Sequence, residues 1–148
     1  MAQLVNRYFI CVYVIPDKVE EIVRAVKQID DLLYGDYKWV HWISDEGTEY
    51  YNVTKSAGKD VPEDQVNSNP TVKLEFSIKS DEELLHKLLD KIIEVHPWDE
   101  PVIRVSKIKE TRVLSKLSKL KPHNNAIIGD PEELVDLKVW EWDEEKNL

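Results

Sequence analysis

The chain has 148 residues, a formal net charge of -9 at pH 7 and one cysteine. That length fits one domain with an ordinary core, so neither a disulfide nor a metal is required for folding. The acidic charge argues against a general nucleic-acid binder, and no apolar run approaches the roughly 20 residues that span a bilayer. Because the first residues lack the pattern of a secretion signal, we expect a cytoplasmic protein.

The first two predicted elements are a strand and an amphipathic helix. Residues 7–15, "RYFICVYVI", are β-branched and aromatic and precede a proline, which is typical of a strand. Cys11 within this strand is expected to be a small buried hydrophobe. The segment 17–29 then places apolar residues at helical spacing. Asp17 and Glu20 match a capping box at its start.

Two strands and a polar loop are predicted next. Residues 37–44, "YKWVHWIS", and 71–78, "TVKLEFSI", have strand composition, and 48–53 either extends the first strand or forms a short one. The apolar and polar residues of 71–78 alternate, which predicts one buried face. The segment 55–70 is predicted to be a long polar loop. If 39–43 is extended, Trp39, His41 and Ile43 share one face, and Val40 and Trp42 share the other.

The domain is predicted to close with a second helix and a further strand. Ser80 and Glu83 match a capping box, and the helix should end near His96 because the residue before a proline avoids helical geometry. Residues 101–108, "PVIRVSKI", are a predicted strand. The resulting order βαββαβ is the α+β split βαβ pattern, with two helices on one face of an antiparallel sheet. The other face must meet water, a C-terminal extension or another subunit, so we expect self-association.

We divide the chain into a domain at 1–108 and a C-terminal extension at 109–148 that packs on this domain or on a neighbouring subunit. Residues 104–121 carry seven Lys or Arg and one acid, whereas the end of the chain is strongly acidic. Such opposite blocks usually complement each other. The extension is expected to hold a short basic helix, a loop with a helical turn, and a terminal strand at 136–142.

The segment 96–101, "HPWDEP", carries the residue types that bind zinc or copper: His96, Asp99 and Glu100. A divalent-metal-binding protein or a metal-assisted hydrolase is therefore one hypothesis. The structural alternative is a junction in which Pro97 stops the helix and Trp98 covers the end of the core. The chain has no nucleophile elbow, P-loop or dinucleotide-binding glycine pattern, so we do not expect an enzyme.

A second candidate region is 34–51, "YGDYKWVHWISDEGTEYY", which is unusually rich in aromatic residues. Aromatic side chains among polar groups line ligand pockets or anchor subunit interfaces, and the sequence leaves both alternatives open. The candidate ligand or interface residues of the two regions are Tyr37, Trp39, His41, Trp42, Thr48, Glu49, His96, Trp98 and Glu100.

Together these motifs resemble the CutA/PII-like domain that occurs within NIF3-like proteins and as stand-alone proteins. The resemblance spans about residues 7–108. It implies a ferredoxin-like fold, a trimeric homo-oligomer and no required cofactor, and CutA's link to divalent-metal tolerance keeps a zinc or copper role at His96 open. The chain departs from the family pattern at His41, Trp98, Asp99 and the order of "SAG". The matching residues are Tyr13, Val14, Pro16, Gly35, Tyr37, Trp42, Gly47, Thr48, the loop "SAG" and "HPWDEP".

The leading hypothesis is thus a non-catalytic, homo-oligomeric NIF3/CutA/PII-like protein that binds a small ligand or protein partner near the two candidate regions. The second is the metal-binding protein or metal-assisted hydrolase that uses His96 with nearby carboxylates. The third is an adaptor whose acidic tail, with Trp140 and Trp142, docks a partner.

Overall fold

The computed structural model describes residues 2–54, 62 and 64–113. The predictions for the "SAG" loop and for the extension beyond residue 113 lie outside these residues, as does the tail with Trp140 and Trp142. The described elements are β1 (Gln3–Val14), a 3-10 turn (Pro16–Lys18), α1 (Val19–Ile29), β2 (Trp42–Ile43), β3 (Gly47–Tyr51), β4 (Asn67–Lys79), α2 (Glu82–Val95) and β5 (Ile103–Arg112).

The strands form one antiparallel sheet in the order β2-β4-β1-β5. The long strand β4 pairs with β3 through its first residues and with β2 further along. Near the end of β1, Tyr13 lies opposite Lys73 of β4, and Cys11 lies opposite Arg104 of β5. This topology confirms the predicted α+β, ferredoxin-like fold.

The core lies between the two helices and one face of the sheet. Alternation along β1 directs one set of side chains to the helices and the next set to the opposite face, which we call the open face. Cys11 belongs to the open face; it is buried as predicted, although it lies outside the main core cluster. The core residues of β1 and β4 are Tyr8, Ile10, Val12, Val14, Val72, Leu74, Phe76 and Ile78.

Each helix begins differently from the sequence prediction. A 3-10 turn precedes α1, and Lys18 occupies the cap without a side-chain hydrogen bond, so the capping box of Asp17 and Glu20 is wrong. For α2 the cap is Asp81, whose Oδ1 accepts the Leu84 N–H at 3.2 Å, in place of the predicted Ser80. α2 ends at Val95 with His96 as its C-cap, as the following proline predicts. No helix in the described ranges is long and apolar enough to cross a bilayer.

The predicted strand at 37–44 is mostly wrong. Trp39 has a positive φ of 60°, which breaks an extended chain, and only Trp42–Ile43 pairs with β4. Backbone bonds from the Trp39 N–H to Asp31 O at 2.6 Å and from the Val40 N–H to Leu32 O at 3.0 Å hold this turn. The predicted sharing of faces by alternate residues of 39–43 therefore fails, whereas the short strand predicted within 48–53 exists as β3.

The later strands are longer than predicted. β4 begins at Asn67 and not at 71, and β5 runs from Ile103 to Arg112. At the end of the open face furthest from Tyr13, the Ser77 hydroxyl accepts from Arg7 Nε at 3.1 Å and donates to Glu110 Oε2 at 2.7 Å. The open face thus has a buried ionic end, and its opposite end, around Tyr13, Lys73 and Arg104, is accessible to solvent.

Candidate functional site

His96 joins the end of α2 to the end of β1. Its Nε2 lies 2.8 Å from the Tyr13 carbonyl oxygen, and its Nδ1 accepts the Trp98 N–H at 3.1 Å. Because a carbonyl only accepts, Nε2 carries the proton, and because the Trp98 N–H only donates, Nδ1 holds a lone pair. His96 is therefore the neutral Nε2–H tautomer, and it is 7% exposed.

The surroundings of His96 stabilise this neutral form. Burial lowers the pKa of His96 below its ordinary value, against the smaller opposing effects of the Tyr13 carbonyl and the Glu49 carboxylate. The Trp98 ring lies with its centroid 5.1 Å from that of His96, tilted by 54°. The predicted helix-to-strand junction is thus present, and the imidazole is its central hydrogen-bonding group.

The same geometry bears on metal binding. Both ring nitrogens of His96 are hydrogen-bonded, so a zinc or copper ion could bind only by displacing the Trp98 N–H or the Tyr13 carbonyl. In the described part of the chain, no group of three or more His, Cys, Asp or Glu side chains is arranged to hold a metal ion. Asp99 and Glu100 lie on the exposed side of the turn. The metal site at His96, Asp99 and Glu100 stays a prediction.

Beside this junction lies a half-open groove of about 400 Å³. Its floor is the accessible end of the open face, where Tyr13, Lys73 and Arg104 come from three neighbouring strands. One wall is formed by β3 and the residues before it, and Val102, directly after "HPWDEP", also lines the groove. The volume falls in the range of roughly 300–1,000 Å³ that is usual for small-molecule sites.

The groove contains charges of both signs. Arg104 Nη1 donates to the Tyr13 hydroxyl at 2.7 Å, and its guanidinium lies 4.9 Å from the Tyr13 ring centroid. Lys73 Nζ lies 5.7 Å from the same ring. Asp45 and Glu49 line the groove from the β3 side. Tyr13 therefore holds two cations on the floor, and two carboxylates belong to the wall.

The structure brings some predicted site residues together and separates others. Thr48 and Glu49 line the groove, and His96 and Trp98 form the junction next to it. The remaining aromatic candidates lie on the turn and edge outside it: Tyr37, Trp39 and Trp42 are exposed, and His41 Nδ1 bonds to the Trp39 carbonyl oxygen at 2.7 Å. Lys27 and Lys38 Nζ lie 4.5 Å and 4.3 Å from the Trp39 ring centroid.

The sequence prediction missed the floor of the groove. Tyr13 was assigned to a family motif but not to the site, and Lys73 and Arg104 were not candidates. The alternation in 71–78 does place Lys73 on the polar face of its strand. The sequence does not show the strand register that places Tyr13 opposite Lys73. The other groove residues missed are Ser44, Asp45, Gly47, Tyr50, Thr71 and Val102.

No family model and no curated protein sequence matches this chain. Among solved structures it is similar to a Bacillus cereus protein related to NIF3, with a TM-score of 0.58 and 20% identity, over 72% of this chain and 26% of that one. This chain thus spans about a quarter of that protein's length.

The chain is also similar to stand-alone CutA proteins over nearly their whole length. For CutA1 of Oryza sativa the TM-score is 0.53 at 18% identity, with 80% of this chain and 93% of that chain covered. For the periplasmic divalent cation tolerance protein CutA of Archaeoglobus fulgidus the TM-score is 0.51 at 13% identity, with 78% and 96% covered. These likenesses establish a CutA-like fold. Since the latter protein is periplasmic, the fold does not fix a compartment, and the cytoplasmic location of this chain stays a prediction.

Proposed function

We propose that this protein is a homo-oligomeric, CutA/PII-like binding protein that takes a small ligand in the groove beside "HPWDEP". The observation that carries the proposal is that the first candidate region lines a groove that lies directly beside the second. Thr48 and Glu49 of the first region form its wall, and Val102 follows the second region directly. His96 fixes the backbone of Tyr13, whose ring is part of the floor.

The floor favours a ligand that carries negative charge. Lys73 and Arg104 are exposed side chains of opposite strands on either side of β1, and both lie against the Tyr13 ring. Arginine and lysine side chains at the base of a concave site are the usual partners of carboxylate and phosphate groups. A cation held on a tyrosine ring has a defined position before the ligand arrives, which lowers the entropy cost of binding.

Self-association is supported by a set of large exposed side chains on one edge of the sheet. We call Trp42, Tyr50, Tyr51 and Val66 the aromatic edge; Trp42, Tyr50 and Val66 are 66%, 69% and 65% exposed. Large apolar side chains this exposed along one sheet edge are suited to burial by a partner, and aromatic residues are enriched in the buried centres of subunit interfaces. A second copy of the chain is the partner proposed for this edge, and three subunits is the proposed number.

Light scattering on the full chain tests the oligomer, with Trp42→Glu as the interface variant, because Trp42 does not line the groove. A charge at position 42 should be buried without a partner on assembly, so this variant should shift the population toward the monomer. Ile93→Glu is the matched control, because Ile93 is 52% exposed on the outer side of α2, away from the aromatic edge. The proposal requires that Ile93→Glu keep the subunit number of the unmodified protein.

Two results would contradict this part of the proposal. One is a monomeric unmodified protein at every accessible concentration. The other is an oligomer that tolerates Trp42→Glu but dissociates with Ile93→Glu, which would place the contact on the helical layer.

A further inference from the structure

We infer that the groove binds a small zwitterion, a molecule that carries both an ammonium and a carboxylate group, of which a free amino acid is the simplest example. This inference rests on the proposed ligand-binding function and names the chemical class of the ligand. The observation behind it is the pairing of two cations and two carboxylates in one groove without ion pairs between them.

The cations belong to the floor and are already oriented. Arg104 uses Nη1 for the Tyr13 hydroxyl at 2.7 Å. The guanidinium has five N–H donors in total, so others remain for a carboxylate. Lys73 makes no ion pair with any described residue and contacts the Tyr13 ring alone through its ammonium group. A ligand carboxylate placed over Tyr13 can therefore accept from both side chains.

The carboxylates belong to the β3 side of the groove. Asp45 lies between β2 and β3, and Glu49 lies in β3. Within the described ranges, neither forms an ion pair with Lys73, Arg104 or another cation. Two acceptor groups thus border the same space as the two cations, and they are free to receive an ammonium group.

This arrangement discriminates between classes of ligand by charge. A simple anion gains attraction from Lys73 and Arg104 but is repelled by Asp45 and Glu49, and a simple cation meets the reverse situation. A zwitterion can place its carboxylate near Lys73 and Arg104 and its ammonium group near Asp45 and Glu49, so both charges are attracted and repulsion is reduced. Val102 leaves apolar surface beside these charges for a side chain of the ligand.

Isothermal titration calorimetry on the full chain at pH 7.5 and low ionic strength tests the inference with two matched sets of probes. The first set is L-phenylalanine with its single-charge analogues 3-phenylpropionate and 2-phenylethylamine. The second is 6-aminohexanoate with hexanoate and hexylamine, in which the two charges are further apart. In at least one set, the zwitterion should bind about tenfold or more tightly than both analogues, because each charge gains a partner at the groove.

Substitutions test whether the probes bind to the cations on the floor and to the carboxylates on the wall. Lys73→Met should lower the affinity for the zwitterion about tenfold, because the ligand carboxylate loses a cationic partner. Glu49→Gln should also lower this affinity, because the ligand ammonium group loses a carboxylate partner. Glu49→Gln should also improve the affinity of the simple anion relative to the zwitterion. Lys87→Met and Glu83→Gln, which make the same charge changes on the exposed side of α2, should leave the affinities unchanged.

The outcomes separate this inference from the proposed function. If an anion binds as tightly as its zwitterion, with dependence on Lys73 and none on Glu49, the groove is an anion site: the inference fails and the proposed function stands. If no probe of either set binds, the zwitterion inference is overturned, and the proposed function is decided by subunit number and by the molecules that the purified protein retains. Binding unchanged by both groove variants places the probes elsewhere and also overturns the inference.

Discussion

Replacing His96 with alanine should destabilise the protein severely, because the ring satisfies two backbone groups at once. The Tyr13 carbonyl oxygen would lose its donor at 2.8 Å, and the Trp98 N–H would lose its acceptor at 3.1 Å. A buried polar group left without a partner costs about 1–3 kcal/mol. With the site 7% exposed, water replaces these bonds poorly, so the two losses predict a decrease in the free energy of unfolding of roughly 2–6 kcal/mol.

Two further substitutions separate the two hydrogen bonds. Asparagine at this position can still accept the Trp98 N–H but does not reach the Tyr13 carbonyl, whereas glutamine has the length to donate to Tyr13. His96→Asn and His96→Gln should therefore each lose less stability than His96→Ala. The control is His86→Ala, since His86 is exposed on α2 and its removal should change stability by about 0.5 kcal/mol or less.

Urea denaturation at pH 7.5 and a fixed protein concentration measures all four variants, followed by circular dichroism. The concentration is held constant because the proposed self-association would contribute to apparent stability. If His96→Ala unfolds at the same urea concentration as His86→Ala, the imidazole does not hold the junction. That result would refute the structural role and would favour the alternative in which His96 is reserved for a metal or ligand.

Two other predictions concern protonation and helix capping. Because burial lowers the pKa of His96 in the folded state, the stability it contributes is fully present above its unfolded pKa of about 6.5 and is lost as the pH falls through the lower folded value. Urea midpoints measured between pH 8 and pH 5 should decrease as the pH falls. His96→Gln should make this decrease smaller. If the decrease is the same in His96→Gln, groups other than His96 cause it. Asp81→Ala should lower the free energy of unfolding by about 1 kcal/mol because the Asp81 side chain caps α2, and Ser80→Ala should lower it less in the same assay. A larger loss for Ser80→Ala would instead support the predicted capping box at Ser80.

The order of elements could be predicted because the apolar residues of each segment follow the period of its secondary structure and pack in the core. This holds for the alternation in 71–78 and for the helical spacing before Pro97, where one face of each element is buried. At 37–44 the composition indicated a strand, but Trp39 adopts a left-handed conformation held by a bond to Asp31 O. That bond joins residues eight apart through a turn, and propensity alone does not reveal it.

The site was predictable only in part for a similar reason. Thr48, Glu49 and His96 carry the residue types that indicate chemistry, and they do lie in or beside the groove. Tyr13 and Arg104 belong to strands that look like ordinary core and edge segments, and they meet because of strand register. For His96, the sequence could not show that both ring nitrogens serve the backbone, since this depends on the close approach of α2 to the end of β1.

The most direct test of the proposed function is a native mass spectrum of the full chain purified without chelator, because it reports subunit number and retained molecules together. The proposal predicts a trimer that carries a small organic molecule, which Lys73→Met protein retains less well than Lys87→Met protein. A monomer without any bound molecule would contradict it. A stoichiometric zinc or copper ion that is lost on His96→Ala would contradict it in favour of the metal-binding hypothesis.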